Sequence, residues 1–429
     1  MESKLRNIWI FNHYANEMWK NMGGRHYSFA ENLTNLGYNV TIFCASSFHN
    51  QNNSIEMENR KYKIDSSRKF SFVFIKTPVA IGNGLKRIKN MYSFYHNLLL
   101  EYKLIAHQIG VPDLIIASSV HPLTLVAGIK IAKKFKIPCI CEIRDLWPEA
   151  IFSIGKTKEN SLIGKLLIKG EHWIYKNADA LIFTKEGDID YLNEKGWLSN
   201  QGGDVSRDKC FYINNGVNIH KFNEQIVNEI TVDSDLDSEK FKVVYCGAIR
   251  PVNNVEKIVN AAKVLKDNKK IIFLIYGEGN EKKHLENLVK NYGLTNIKFK
   301  GFIEKSKIPY ILHKSDLNIL NYSQTQYNWS RGNSSNKLFE YLASGKPVLS
   351  TVEMGYSIIE KYQCGTEIYD ASSEEIASEI ISYMNLSKVD YEQKCENAKN
   401  AAEEFDYSKR LTPKLLDVMS FSLKNKLEV

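Results

Sequence analysis

At 429 residues the chain exceeds what one hydrophobic core usually supports, so two domains of about 200 residues are expected. Its 43% hydrophobic and 25% charged residues match an ordinary globular protein and exclude a disordered or fibrous one. Residues 1–220 hold 28 Lys and Arg against 20 Asp and Glu, and the remainder holds 29 of each, so the net charge of +8 belongs to the first half. That asymmetry points to an anionic partner there, and a bilayer surface fits as well as nucleic acid. The seven Cys are scattered, without metal spacing, and read as buried thiols of a reducing cytoplasm. The opening apolar run at 7–11 is too short for a signal peptide, and no run approaches a membrane span.

Short apolar runs alternate with amphipathic stretches, the pattern of parallel α/β sheets. Strands are expected at 7–12, 40–46, 70–76, 113–119, 138–143, 180–184 and 210–214, with helices over 25–36, 123–135 and 161–177. An acidic stretch at 224–240 reads as a linker or exposed loop. The alternation restarts with strands at 241–247, 270–277, 297–301, 316–321, 347–351 and 366–370. Two Rossmann-like sheets facing across a cleft are expected, with domains over 1–215 and 216–405. A last helix within 406–429 is expected to pack back on the first domain.

Ligands of open α/β sheets bind beyond the strands' carboxyl ends, so the loops there carry the functional reading. After the first strand, Gly23 and Gly24 open a helix whose amides can approach an anion, although a plain Gly-rich turn looks the same. The spacing is not G-x-G-x-x-G, which argues against a dinucleotide oxidoreductase. His121 lies between the fourth strand and a helix, placed either to meet a ligand or as a structural His. After the fifth strand Glu142, Arg144, Asp145 and Glu149 crowd around Trp147-Pro148, a density of ionisable groups that suggests function. In the second half Gly247 and Arg250, Gly277 and Gly279, and Gly301-Phe302-Ile303 follow successive strands, where a flat base can lie. Asp188/Asp190 and Asp233/Asp235 imitate a metal-binding D-x-D, but the first pair sits in a helix and the second in the acidic stretch, so no metal ligation is expected.

The most informative segment is 334–349, SSNKLFEYLASGKPVL. Ser334, Ser335 and Asn336 are N-cap types, and Leu338 and Leu342 begin a short apolar face. Lys337 therefore falls in the first helical turn, where the dipole disfavours a cation by a few tenths to about 1 kcal/mol unless an anion sits there too. With Arg331 it forms a candidate phosphate cradle. Glu340, one turn on, can accept from a sugar diol. Residues 84–104 interleave Lys86, Arg87 and Lys89 with Met91, Tyr92, Phe94, Tyr95 and Leu98, either a core helix or one suited to an anionic bilayer.

Together the strings GGRHYSFAENLTNLGYNV, EIRDLWPEA, YINNGV and SSNKLFEYLASGKPV, with G…GEG…GFI between them, resemble retaining glycosyltransferases of family 4, nearest the WbuB-like branch of surface-polysaccharide enzymes. The resemblance covers nearly the whole chain and implies the GT-B fold. It implies a nucleotide-diphosphate sugar donor, UDP-linked and with an N-acetylated amino sugar, held by the C-terminal domain, and a glycan or lipid-linked acceptor held by the N-terminal one. It places Gly24, Arg250 and Lys337 on the pyrophosphate, Glu340 on the ribose, His121 beside the sugar and Asp145 in the acidic loop. The remaining donor contacts expected are Gly23, Gly247, Gly277, Gly279, Ile303, Asn336 and Leu338, with Lys86, Arg87, Lys89 and Trp147 toward acceptor or membrane. Retention, no metal or cofactor, and a peripheral place at the inner face of the cell membrane follow from the same likeness, with no nucleic acid partner. Two positions depart from it: Gly332 stands where E-x7-E has its first Glu, and Asn253-Asn254 where a second clamp Lys is usual. Arg331, the Gly332 amide and Asn333 are then candidate sugar contacts. A nucleotide-sugar isomerase or hydrolase of the same fold, and a non-catalytic nucleotide-sugar binding subunit, are the competing readings.

Overall fold

The structure, a computed structural model, describes residues 6–427 except 83, 120, 154, 156, 326 and 327. The ends of the expected domains that fall on 1–5 and 428–429 lie outside the described residues. The chain folds as two compact units: residues up to Asn214 with those from Tyr407 onward, and residues Asn215–Asp406.

Unit 1 carries β1 (Asn7–Phe11), β2 (Asn39–Ala45), β3 (Tyr62–Asp65), β4 (Ser71–Ile75), β5 (Leu114–Ser119), β6 (Cys139–Ile143), β7 (Ala180–Phe183) and β8 (Cys210–Tyr212). Their order is β3-β4-β2-β1-β5-β6-β7-β8. Every pair is parallel except β3 with β4. The sequence reading missed β3, whose KYKID run has too little apolar content to signal a strand; lysines on an edge strand also discourage pairing with other chains.

Helices Leu85–Ile109, Pro122–Phe135 and Leu162–Asn177 carry the chain from β4 to β5, β5 to β6 and β6 to β7. These crossovers move the same way across the sheet, so right-handedness puts all three helices on one face. Helix Arg25–Asn35 links β1 to β2 in the opposite direction and covers the other face. There the last helix, Thr412–Leu427, joins it through Asn32 Nδ2 donating to Thr412 Oγ1 at 3.0 Å. Trp9, Phe11 and Phe43 form a core with Phe94, Leu98, Leu125 and Ile174.

Helix Leu85–Ile109 corrects the expected membrane face. Phe94 and Leu98 are core, and Arg87 is buried, donating to Asn50 Oδ1 at 2.6 Å and to Tyr14 Oη at 3.3 Å. What remains outside is Leu85, Ile88 and Tyr92 with Lys86 and Lys89.

Unit 2 carries β9 (Phe241–Cys246), β10 (Ile271–Tyr276), β11 (Ile297–Gly301), β12 (Leu317–Leu320), β13 (Val348–Ser350) and β14 (Gly365–Glu367), all parallel, in the order β11-β10-β9-β12-β13-β14. The 224–240 stretch is not a loose linker. Helix Ile219–Asn228, capped by Asn218 Oδ1 accepting from the Lys221 amide at 3.0 Å, reaches into it and buries Phe222. Past this helix, Asp233 and Asp235 accept from Lys300 Nζ at 2.7 and 2.6 Å, and Tyr276 Oη donates to Asp233 at 3.0 Å. These ion pairs pin the acidic segment to β10 and β11 and occupy the carboxylates of the second D-x-D.

Between the faces of unit 1 lies a buried ion pair. Arg25 Nε donates to Glu142 Oε2 at 2.7 Å, and its two terminal nitrogens donate to the carbonyls of Ile213 and Asn214. Ser118 Oγ adds a bond to Glu142 Oε1 at 2.8 Å. Burial pushes the Glu142 pKa up, but Arg25, His26 and Arg144 outweigh it and hold the carboxyl well below its usual range. Glu142, read from sequence as part of a functional cluster, is thus a structural tie between helix Arg25–Asn35 and β6. Breaking one side of such a pair strands a buried charge, so Glu142→Gln is expected to cost about 3 kcal/mol or more in urea unfolding; a loss under about 1 kcal/mol would show that the pair does not hold the fold.

Candidate functional site

A parallel sheet opens a crevice where successive connections leave in opposite directions. In unit 2 that point lies between β9, whose chain turns toward β10, and β12, whose chain turns toward β13. Cys246 ends β9, and its backbone N–H and C=O are both bound by the buried Tyr341 hydroxyl, at 3.0 and 3.2 Å. Tyr341 belongs to helix Asn336–Ala343, so one phenol fastens that helix to the end of β9.

Lys337 projects from the first turn of this helix. Its Nζ lies 4.9 Å from the Tyr245 ring centroid, 4.2 Å from that of Tyr322 and 3.3 Å from the Tyr245 hydroxyl. With the Asn253 amide turned so that its nitrogen donates to Ala248 O at 2.9 Å, its oxygen accepts from Lys337 Nζ at 3.1 Å. Asn253, one of the two departures from the family pattern, is therefore a partner of the lysine. Burial lowers the Lys337 pKa to about 7, with Cys246 opposing weakly. The aromatic faces stabilise the cation by about 0.5–2 kcal/mol, less than burial costs it.

Backbone approaches the same place without side chains in the way. Gly277 (φ +147°) passes so close that a Cβ would sit 1.8 Å from Gly247 O, and a Cβ on Gly247 would meet Lys337 Cδ at 2.9 Å. Gly279 follows on the same loop. Arg250 is exposed at the start of the next short turn, Ile303 is half-buried, and the neighbouring Phe302 is 75% exposed. Asn336 is exposed; Glu340 is half-buried, 3.7 Å from Lys305 Nζ.

Several expected contacts are corrected. Ser335 is the N-cap, but its hydroxyl pairs with Tyr322 Oη at 2.6 Å rather than capping the helix. The Gly332 amide, expected to face a sugar, donates to Trp329 O at 3.1 Å. Leu338 is buried and its amide bonds to Ser335 O at 3.2 Å, so it serves packing. Arg331 and Asn333 are buried, and Asn333 Oδ1 accepts from the Ser335 amide at 2.7 Å. What the structure brings together at this crevice is Lys337, Asn253 and the glycine turns, while Arg331 is buried.

In unit 1 the corresponding reversal lies between β1 and β5. His13 follows β1 and His121 follows β5, both fully buried. Asn90 Nδ2 donates to Pro78 O at 2.6 Å and Ser47 Oγ at 2.8 Å, so its Oδ1 is the atom left to accept from His13 Nε2 at 2.8 Å. His13 Nδ1 then has no proton and accepts from His121 Nε2 at 2.9 Å. Burial lowers the pKa of both rings, that of His121 to about 3. Both are neutral, and His121 Nδ1 is left as a buried acceptor without a partner. Sequence reading found His121 but not His13 or Asn90.

Gly23 and Gly24 precede helix Arg25–Asn35, with Gly24 at φ +104°. Asp145 is exposed and Trp147 half-buried, both beside an apolar cavity in unit 1. Among the described residues no three His, Cys, Asp or Glu side chains come together as a metal set, and no helix is long and apolar enough to cross a membrane. All seven Cys are free, six of them buried.

The family model described as Glycosyltransferase Family 4 matches residues 25–221, and the one described as Glycosyl transferases group 1 matches 227–405. WcaI of Escherichia coli (strain K12), named for colanic acid biosynthesis, is 25% identical over 244 residues, 55% of this chain and 56% of its own. TuaH of Bacillus subtilis (strain 168), named for teichuronic acid biosynthesis, is 26% identical over 215 residues, 49% and 50% respectively. The chain spans about half the length of the curated relatives it matches. Anabaena HepE, solved with UDP, superposes with a TM-score of 0.67 at 14% identity, covering 97% of this chain and 100% of that one. Identity this low bears on the fold alone, and that fold is GT-B.

Two outcomes are expected. Lys337 binds more protons unfolded than folded between its folded value near 7 and the free lysine value near 10.5, so its contribution to stability rises with pH across that window. The wild-type minus Lys337→Met stability difference in guanidinium unfolding should therefore rise from pH 7 to pH 9; a flat difference would mean the lysine is not buried as described. Separately, 15N-histidine NMR at pH 7 should show His121 as the Nε2–H tautomer, and Asn90→Ala should release it into a tautomer mixture.

Proposed function

Because this chain belongs to glycosyltransferase family 4, we propose that it transfers a sugar from a nucleotide-diphosphate donor to a glycan or lipid-linked acceptor in surface-polysaccharide assembly. The observation that carries this reading is Lys337, a cation held at the first turn of a helix against the β9 glycine turn. A half-buried lysine with only neutral partners is costly to charge, and a diphosphate returns its charge. Arg250, exposed one turn on, is the second cation of the clamp, and Asn253 orients the first. Phe302 offers a face to the base, and Glu340 can reach the ribose hydroxyls. A UDP donor is supported by the UDP bound to HepE, and polysaccharide assembly by the names of WcaI and TuaH. An N-acetylated amino sugar rests on the WbuB-like resemblance.

In this mechanism the bond from C1 to the phosphate oxygen breaks while a bond from C1 to the acceptor oxygen forms on the same face, retaining configuration. The acceptor proton passes to the departing β-phosphate oxygen. Charge developing on the diphosphate is met by Lys337, Arg250 and backbone amides, so the clamp works without a metal. Within unit 1, His121 Nδ1, an acceptor only, is suited to a ligand hydroxyl and not to an anion. Asp145, exposed after β6, orients the acceptor. Exposed Leu85, Ile88 and Tyr92 with Lys86 and Lys89 suit a peripheral place on an anionic bilayer at its cytoplasmic face.

UDP is expected to raise the melting temperature by mass action, more than GDP or ADP. Charge-assisted phosphate contacts are worth about 1.5–3 kcal/mol, so Lys337→Met and Arg250→Ala should each weaken UDP binding roughly tenfold or more. Unchanged affinity in both folded variants would sink the clamp. Since Lys337 is largely neutral above pH 7, UDP binding at pH 8 should take up a proton, read by calorimetry in buffers of different ionisation enthalpy, and this uptake should vanish in Lys337→Met. EDTA should leave turnover of a UDP-sugar with acceptor unchanged; abolished turnover would overturn the metal-free clamp.

A further inference from the structure

Beside Asp145, within unit 1, lies a cavity of about 190 Å³. Leu125 and Val126 line it from helix Pro122–Phe135, Trp147 and Pro148 from helix Trp147–Ser153, and Leu166 and Leu167 from helix Leu162–Asn177. Its polar lining is sparse: Ser119 and Asp145 at the carboxyl ends of β5 and β6, and the Glu171 carboxyl. Glu171 is no free anion waiting for a cation. It accepts from the Tyr175 and Tyr191 hydroxyls at 2.7 Å each, and burial raises its pKa to about 7. A space of this size admits about six methylene-sized groups, taking roughly 30 Å³ for each.

The cavity is continuous with an unusual surface. Leu166 lines it and is also 70% exposed; Leu162 and Ile163, one turn earlier, are 89% and 64% exposed. Lys158, Lys165 and Lys169 are exposed around them. An exposed apolar turn with three exposed lysines against one exposed glutamate, Glu159, close in sequence is complementary to an anionic lipid surface. Crossover helices of a parallel sheet run back against the strands, so helices Leu85–Ile109 and Leu162–Asn177 both begin at the strands' carboxyl edge. The exposed Leu85 and Ile88 therefore lie along the same edge, and the cavity opens between that edge and the lipid-suited surface.

We propose that this cavity binds the apolar chain of a lipid-anchored acceptor, leaving the acceptor's polar head at Ser119, Arg144 and Asp145. The inference deepens the glycosyltransferase reading and rests on it for the word acceptor, but the chain-binding site is testable alone. The cavity sits where β5 and β6 end, the edge that carries His121 and Asp145, so a chain held there delivers its head group to the reacting end of the sheet. The exposed Leu162, Ile163 and Leu166 give the chain an apolar path from the bilayer.

Calorimetry with farnesyl monophosphate below its micellar concentration tests the site, against methyl monophosphate, which has the same head and a one-carbon tail, and inorganic phosphate. Farnesyl phosphate is expected to bind at least tenfold more tightly than the short analogue, and inorganic phosphate not at all. Val126→Phe, which fills the cavity, and Leu166→Gln, whose exposed side chain can change without unfolding the protein, should each remove that preference while the UDP thermal shift persists. Equal binding of farnesyl and methyl phosphate, or a preference untouched in both variants, would overturn the proposal. A UDP shift without prenyl binding rejects this inference alone, whereas prenyl binding without a UDP shift rejects the donor reading and keeps the site. Sedimentation with phosphatidylcholine vesicles containing a quarter phosphatidylglycerol should capture the wild type and lose Leu162→Ser/Ile163→Ser. If that double variant changes only the mass of self-associated protein, the face is a protein contact and the proposal falls.

Discussion

The chemistry of each unit depends on where its parallel sheet reverses its winding. Backbone hydrogen bonding holds neighbouring strands at a fixed spacing, but the loops leaving two adjacent strands in opposite directions cannot fill the space between them. In unit 1 that gap falls after β1 and β5, and in unit 2 after β9 and β12. His13 and His121 occupy the first; Gly247, Tyr322 and Lys337 frame the second. None of these residues needs sequence proximity to its neighbours, because the sheet order has already brought them together.

What fills the two gaps differs in kind. In unit 1 the groups satisfy one another: Pro78 and Ser47 orient Asn90, Asn90 orients His13, and His13 orients His121. The chain leaves one acceptor over, on a ring that burial keeps neutral. The unit 2 gap holds a lysine whose environment favours its neutral form, with two phenol rings and one amide oxygen for company. Buried polar groups normally find partners. Within unit 1 the spare His121 acceptor suits a hydroxyl donor, and within unit 2 the under-compensated Lys337 suits an anion.

Strand positions were legible because buried parallel strands are written as unbroken apolar runs, and IIFLIY at β10 is the plainest case. Lys337 was legible because helix electrostatics make a first-turn cation conspicuous. The failures share a cause: they concern partners far apart in sequence. Glu142 looked like one of a functional cluster of ionisable groups, but the arginine that neutralises it is 117 residues away. His13 carried no motif of its own, and its relation to Asn90 spans 77 residues. Helix Ile219–Asn228 was hidden because acidic residues follow it closely, and those acids proved to have lysine partners on β11.

The departures from the family pattern can be weighed in the same terms. A second clamp lysine would place two cations around one phosphate subsite, each lowering the other's pKa. Here Asn253 stands in that region and accepts from Lys337 instead, so the remaining lysine keeps a hydrogen-bond partner without a neighbouring positive charge. Loss of the first Glu at Gly332 works the other way. A carboxylate there would bring negative charge near the head of helix Asn336–Ala343, whereas Gly332 has only its amide, already given to Trp329. With neither the extra cation nor the extra anion, Lys337 is left as the group in this crevice whose protonation the proposed diphosphate would change.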